Sequence, residues 1–168
     1  MSAHGLQIRA VSPDEAASAA VLVRESFLQL AAHAWEERAQ RRFIADSEPE
    51  SLSRKIAAAS YSVGAFRADH LLGFLLMPKP TLLGMLFVHP SSLRQGIGTA
   101  LWESARSRLE SRCPEVKTVE LNSTPFAVDF YRSLGFVPLS AEFTREGARA
   151  IRMACWLPAR ALGAGIRD

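Results

Sequence analysis

Polar and apolar residues alternate over Gln7-Ile8-Arg9-Ala10-Val11, the period-two pattern of a strand with one buried face. Ser12-Pro13-Asp14-Glu15 then supplies an N-cap serine, a proline at the first helical position and a capping-box glutamate, so a helix starts there. Ala16, Ala20, Val23, Phe27 and Leu30 recur at spacings of three and four, which gives that helix one apolar face and an end near Ala31. His33-Ala34-Trp35-Glu36-Glu37 opens a second, more charged helical stretch to about Ala45, and Pro49 to Ala59 reads as a third. From Tyr61 the period changes. Tyr61 to Phe66 and Leu71 to Leu76 flank Arg67-Ala68-Asp69-His70 as an antiparallel hairpin. Thr81 to Val88 is almost wholly apolar, as in a strand buried on both faces, and Pro90 ends it. A helix from Gly96 to about Ser111 follows, then a strand from Val116 to Leu121. A helix from Pro125 to Leu134 is closed by Gly135 at its C′ position, and two last strands turn at Glu146-Gly147. The pattern predicts a mixed sheet.

At 168 residues the chain fits one domain, assigned to 1–157, with 158–168 as a C-terminal tail. No apolar run approaches the roughly 20 residues of a membrane span, and the first residues lack the basic and apolar regions of an export signal, so a cytoplasmic protein is expected. Cys113 and Cys155 have no metal-ligand spacing and form no disulfide framework, so no metal site is expected. The net charge of +3 comes from dispersed arginines rather than a basic stripe, which speaks against a nucleic-acid partner and suits a small polyanion.

After the apolar strand the chain reads Val88-His89-Pro90-Ser91-Ser92-Leu93-Arg94-Gln95-Gly96-Ile97-Gly98-Thr99. Glycines at 96 and 98 remove side chains where a phosphate must approach the backbone, and the first helical turn leaves N–H groups pointing outward. The helix dipole adds about half a positive charge there, and Arg94 adds a full one. A dinucleotide-binding Gly-x-Gly-x-x-Gly would place glycine where Leu101 stands, and the Gly-Lys-Ser/Thr of a P-loop is absent.

This run resembles motif A of the GNAT superfamily of N-acetyltransferases, Gln/Arg-x-x-Gly-x-Gly/Ala. Ala127-Val128-Asp129-Phe130-Tyr131-Arg132-Ser133-Leu134-Gly135-Phe136 resembles the superfamily's motif B helix. Two departures stand in motif A: Leu93 occupies the Gln/Arg position and Arg94 replaces a frequent glycine. The resemblance implies a single-domain α/β fold, with a mixed, mostly antiparallel sheet of six to seven strands, about four flanking helices and two splayed central strands. It implies acetyl-CoA as cofactor and transfer of its acetyl group to a primary amine of a small-molecule or peptide acceptor, and leaves a homodimer open. The pantetheine arm would pair with the backbone of Leu86, Phe87 and Val88, like an added strand. Arg94, Gln95, Gly96, Ile97, Gly98 and Thr99 would surround the pyrophosphate, with Asn122 and Tyr131 beside the arm.

Attack of an amine on a thioester builds an oxyanion and expels a thiolate, so an oxyanion donor, a proton for sulfur and a route for the amine's proton are needed. The resemblance assigns the first to the Val88 N–H and the second to Tyr131, whose phenol (pKa ~10) can protonate a thiolate (~8.5). Thr118, Glu120 and Asn122 share a strand face, which makes Glu120 the candidate base, with His89 or water as alternatives. Phe27, Leu30, His33 and Trp35, with Glu36, fall between the first two helices, where the fold would shape the acceptor site. A non-catalytic acyl-CoA-binding sensor or partner-binding module is the competing reading.

Overall fold

The structure is a computed structural model that describes residues 5–158. The tail beyond Pro158 lies outside the described residues. Strands β1 (Leu6–Ala10), β2 (Tyr61–Arg67), β3 (His70–Met77) and β4 (Met85–Val88) form one antiparallel sheet in that order. In the second sheet β8 (Ala148–Trp156) pairs with β5 (Thr118–Ser123), β6 (Val137–Pro138) and β7 (Phe143–Arg145). The helices are α1 (Ala16–Leu30), α2 (Glu37–Asp46), α3 (Pro49–Ala58), α4 (Ile97–Arg112) and α5 (Val128–Ser133). The class agrees with expectation, but among the described residues eight strands and five α-helices replace six to seven and four. Among the described residues every ladder is antiparallel, and the parallel element of the expected mixed sheet shrinks to one bridge, Leu82 to Glu120.

Local chemistry explains most boundaries. The Ser12 N–H donates to the Glu15 carboxylate at 3.0 Å, and Arg9 braces that carboxylate at 2.8 Å, so the chain turns from β1 into α1 through the 3₁₀ turn Pro13–Glu15. The β2–β3 turn places Ala68 and Asp69 at φ 44° and 65°, the left-handed pair that matches strand twist in a two-residue hairpin. The stretch expected as a second helix from His33 begins instead as the 3₁₀ turn Ala32–Ala34, and α2 starts only at Glu37.

The sheets separate two apolar layers. Val63, Leu75, Trp102, Val119, Leu121, Phe136 and Met153 fill the side under α4 and α5, and Trp102 stacks on Phe136 at 4.9 Å. Leu22, Val23, Leu52, Phe66 and Phe74 fill the side under α1 and α3. Full burial of each large side chain contributes about 1.5–3 kcal/mol. Leu86 and Val88 pack toward the α4 layer, Met85 and Phe87 toward the α1 layer. All four are half-exposed, which corrects the expectation of a strand buried on both faces from Thr81. The reason is that one edge of β4 has no neighbouring strand, and Thr81–Gly84 serves as the junction to β5.

The Glu15 carboxyl is held below its ordinary value, first by the Arg9 hydrogen bond and then by the Ser12 N–H. A lowered folded-state value stabilises above the unfolded carboxylate range and is lost as pH falls through the lowered value. Glu15→Ala is expected to cost about 1 kcal/mol in urea denaturation at pH 7, with the gap from wild type closing as pH falls through the lowered carboxyl value.

Candidate active site

β4 and β5 run parallel and touch at one end only. The Leu83 N–H donates to Glu120 O and the Glu120 N–H to Thr81 O, both at 2.9 Å, and beyond this junction the strands part. Backbone groups alternate sides along a strand. The His89 N–H is spent on Leu72 O at 2.8 Å, and Phe87 stands opposite Phe74 in the same phase, so both turn to β3. Leu86 and Val88 therefore turn theirs into the gap, and Phe87 contributes its ring rather than its backbone. On β5 the Glu120 phase repeats at Asn122, whose backbone faces the gap from the other side.

A cavity of about 810 Å³ occupies this gap and reaches from α1 to α4 and α5. It is bordered by Leu86, Phe87, Val88, Arg94, Gly96, Ile97, Gly98, Thr99, Asn122 and Tyr131, which gathers every expected cofactor residue except Gln95. Gln95 is exposed, with its amide 3.5 Å from Ser91 O.

At the α4 end Arg94 has φ 60° and Gly96 φ 77°, both left-handed, which folds the loop back on the helix start. For Arg94 that conformation costs about 1–2 kcal/mol, the origin of the glycine frequent at this place in motif A. Ala100 is the first residue whose N–H reaches the helical ladder, at 2.9 Å from Gly96 O. The N–H groups of Ile97, Gly98 and Thr99 have no acceptor within the helix, which makes an anion cradle. A Cβ on Gly96 would enter open space, whereas one on Gly98 would come within 2.7 Å of the Phe130 ring. Gly98 is thus a glycine for the approach of α4 to α5, and not only for a phosphate.

Tyr131 sits on α5 at the cavity wall and is 8% exposed. Desolvation pushes its phenol well above the ordinary value, so it is protonated throughout the physiological range. Its side chain lines the cavity between Phe130 and Ser133 of the same segment. Glu120 does lie on the α1 face of β5, but its carboxylate is bound to Arg152 at 2.6 and 3.0 Å and does not border the cavity. The partner lies 32 residues away, out of reach of a strand-periodicity argument. His89 is likewise engaged. Its Nδ1 accepts from the Ser91 N–H at 3.2 Å, and Nε2 lies 3.0 Å from the Glu25 carboxylate.

Of the four residues expected at the acceptor site, only Leu30 borders the cavity. Phe27 is 1% exposed and packs edge-on to Trp35 at 5.1 Å and against Phe43 at 4.3 Å, a core cluster instead of an aromatic wall. Trp35 donates its indole N–H to Arg149 O at 3.2 Å, and His33 faces solvent. Sequence reasoning missed Ser26. Its hydroxyl donates to Val88 O at 3.1 Å and pins the end of β4 to α1. The signal was present as a lone hydroxyl on the apolar face of α1, between Val23 and Phe27.

The chain matches the acetyltransferase (GNAT) domain model over residues 18–157, and it belongs to this family. A GCN5-related N-acetyltransferase from Rhodopseudomonas palustris superposes with a TM-score of 0.80 at 20% identity, covering 94% of this chain and 99% of the other. The PaiA N-acetyltransferase of Thermoplasma acidophilum, solved with coenzyme A, gives 0.75 at 21% identity over 93% and 99%. An aminoglycoside 6′-N-acetyltransferase with coenzyme A gives 0.69 at 18% identity over 92% and 99%. These likenesses establish the fold. Family membership makes acetyl-CoA the cosubstrate, and the residues present fit it: an anion cradle at one mouth and two unpaired strand edges along the gap.

Arg94→Gly separates the loop's two roles. Removing the left-handed side chain is expected to raise stability by about 1 kcal/mol in thermal or urea unfolding. Loss of the cation is expected to weaken coenzyme A binding about tenfold by calorimetry.

Proposed function

We propose that the protein is an N-acetyltransferase in which a primary amine attacks the thioester of acetyl-CoA directly. The observation that carries this reading is the cavity passing through the sheet, with the α4 anion cradle at one mouth and the protonated Tyr131 on its wall. The cradle N–H groups and Arg94 hold the pyrophosphate, and the inward backbone groups of Leu86 and Val88 pair with the pantetheine amides like an added strand. The thioester then lies beside Val88, where the N–H donates to the developing oxyanion. Ser26 holds this strand end in place through Val88 O.

The nitrogen–carbon bond forms as the carbon–sulfur bond breaks, and Tyr131 gives its proton to the departing sulfur. The buried phenol is a weak acid, so it acts only as thiolate charge develops, and it recovers the proton released by the amine through water. Neither Glu120 nor His89 is assigned as base, because Glu120 is paired with Arg152 and His89 with Glu25.

Tyr131→Phe is expected to lower kcat about tenfold to a thousandfold while the coenzyme A dissociation constant stays within about twofold. In the same assay Glu120→Gln is expected to keep kcat within about threefold of wild type. Unchanged turnover in the first variant removes Tyr131 from the reaction; a hundredfold loss in the second returns Glu120 as base. A protein that binds coenzyme A and releases none with any amine would be a binding module instead.

A further inference from the structure

The two mouths of the cavity differ in chemistry. Its charged lining residues, Arg94 and Asp129, belong to the loop before α4 and to α5, on the cradle side. The opposite mouth is built by Ser26, Leu30 and Ala31 from α1 and its end, Met85 and Phe87 from β4, and Asn122 from β5. None is ionisable, and the Ser26 hydroxyl is spent on Val88 O. Three carboxylates outside its lining are matched: Glu25 with His89 at 3.0 Å, Glu48 with Arg24 at 3.7 Å and Glu120 with Arg152 at 2.6 Å.

This mouth is bordered at Ala31 by the segment that follows α1. β8 is antiparallel to β5, so its first residues stand beside Ser123, where β5 ends. The segment from Ala31 to Glu36 crosses from the end of α1 to that place. The Trp35 indole donates to Arg149 O at 3.2 Å and the Glu36 N–H to Gly147 O at 2.9 Å. From the other side Gln40 donates to Ala32 O at 2.8 Å and Trp35 O at 2.9 Å. This strap is thus pinned on both sides, and it begins at the cavity-lining Ala31, so the acceptor mouth is bounded there by a fixed segment.

We propose that the acceptor is a compact monoamine whose amine is carried on an apolar body, with Leu30, Ala31, Met85 and Phe87 as the residues that select it. This rests on the transferase reading above. A second ammonium group would enter a mouth whose lining residues carry no carboxylate and would lose hydration without compensation there. An apolar body gains contact with four hydrophobic side chains.

The test is thiol release from acetyl-CoA by the full-length protein with 2-phenylethylamine, spermidine and a hexapeptide bearing a free N-terminus. The expected kcat/KM for 2-phenylethylamine exceeds each of the others by about a hundredfold, the discrimination a lost or mismatched pocket contact gives. Leu30→Glu, placing an unpaired carboxylate at the half-exposed rim, is expected to move the phenylethylamine-to-spermidine ratio at least about tenfold toward spermidine with coenzyme A affinity unchanged. Spermidine or the peptide preferred by wild type overturns the acceptor class and leaves the transferase standing. A ratio indifferent to Leu30→Glu overturns the placement of the acceptor mouth. No thiol release with any of the three, in protein that binds coenzyme A, overturns the transferase reading and this proposal together.

Discussion

Past the two hydrogen bonds that join Thr81 and Leu83 to Glu120, β4 and β5 separate, and the backbone groups of Leu86, Val88 and Asn122 are turned into a gap instead of a ladder. A continuous sheet would satisfy these groups internally; a buried, unpaired one costs about 1–3 kcal/mol. The separation therefore stands only while water or a ligand of peptide-like polarity fills the space. The pantetheine arm carries amides at strand-like spacing, and the pairing proposed above would make cosubstrate binding a completion of the sheet.

The parted edges are held by contacts that lie outside the gap. Ser26 ties the end of β4 to α1, and β8 holds β5 along its whole length through a register from Thr118 opposite Trp156 to Ser123 opposite Ile151. The strap from Ala31 to Glu36 joins the two halves on the α1 side, while α4, in one core cluster with Val63, Leu75 and Met77 of the first sheet and Val119 and Leu121 of the second, joins them on the other. The groups that position the reaction and those that hold the sheets together are thus largely the same. Phe130 shows this in one residue: its ring borders the cavity and occupies the space that Gly98 leaves open.

Features decided within a few residues were legible in the sequence. The Ser12-to-Glu15 turn, the left-handed Ala68-Asp69 hairpin, Gly135 at φ 96° after α5 and the loop before α4 each depend on neighbours one to four positions apart. Features decided by distant partners were not. Periodicity placed Glu120 on the correct strand face, but nothing near it in sequence announces Arg152. Phe27 and Trp35 have the aromatic character of a binding wall, and only their meeting with Phe43 shows that Phe27 is core and Trp35 packs against it. The apolar run from Thr81 looked like a fully buried strand because a strand bordering an apolar cavity and one bordering another strand have the same composition.

The alternation of backbone direction along β4 is the point on which everything else turns, and amide hydrogen exchange by NMR reads it residue by residue. On saturation with coenzyme A, the amides of Leu86 and Val88, which face the gap, are expected to slow by at least about tenfold along with those of Ile97, Gly98 and Thr99. The amide of Phe87, already turned to β3, is expected to change little. Slowing at Phe87 without slowing at Leu86 and Val88, or slowing confined to the loop before α4, would contradict a cosubstrate that completes the parted sheet.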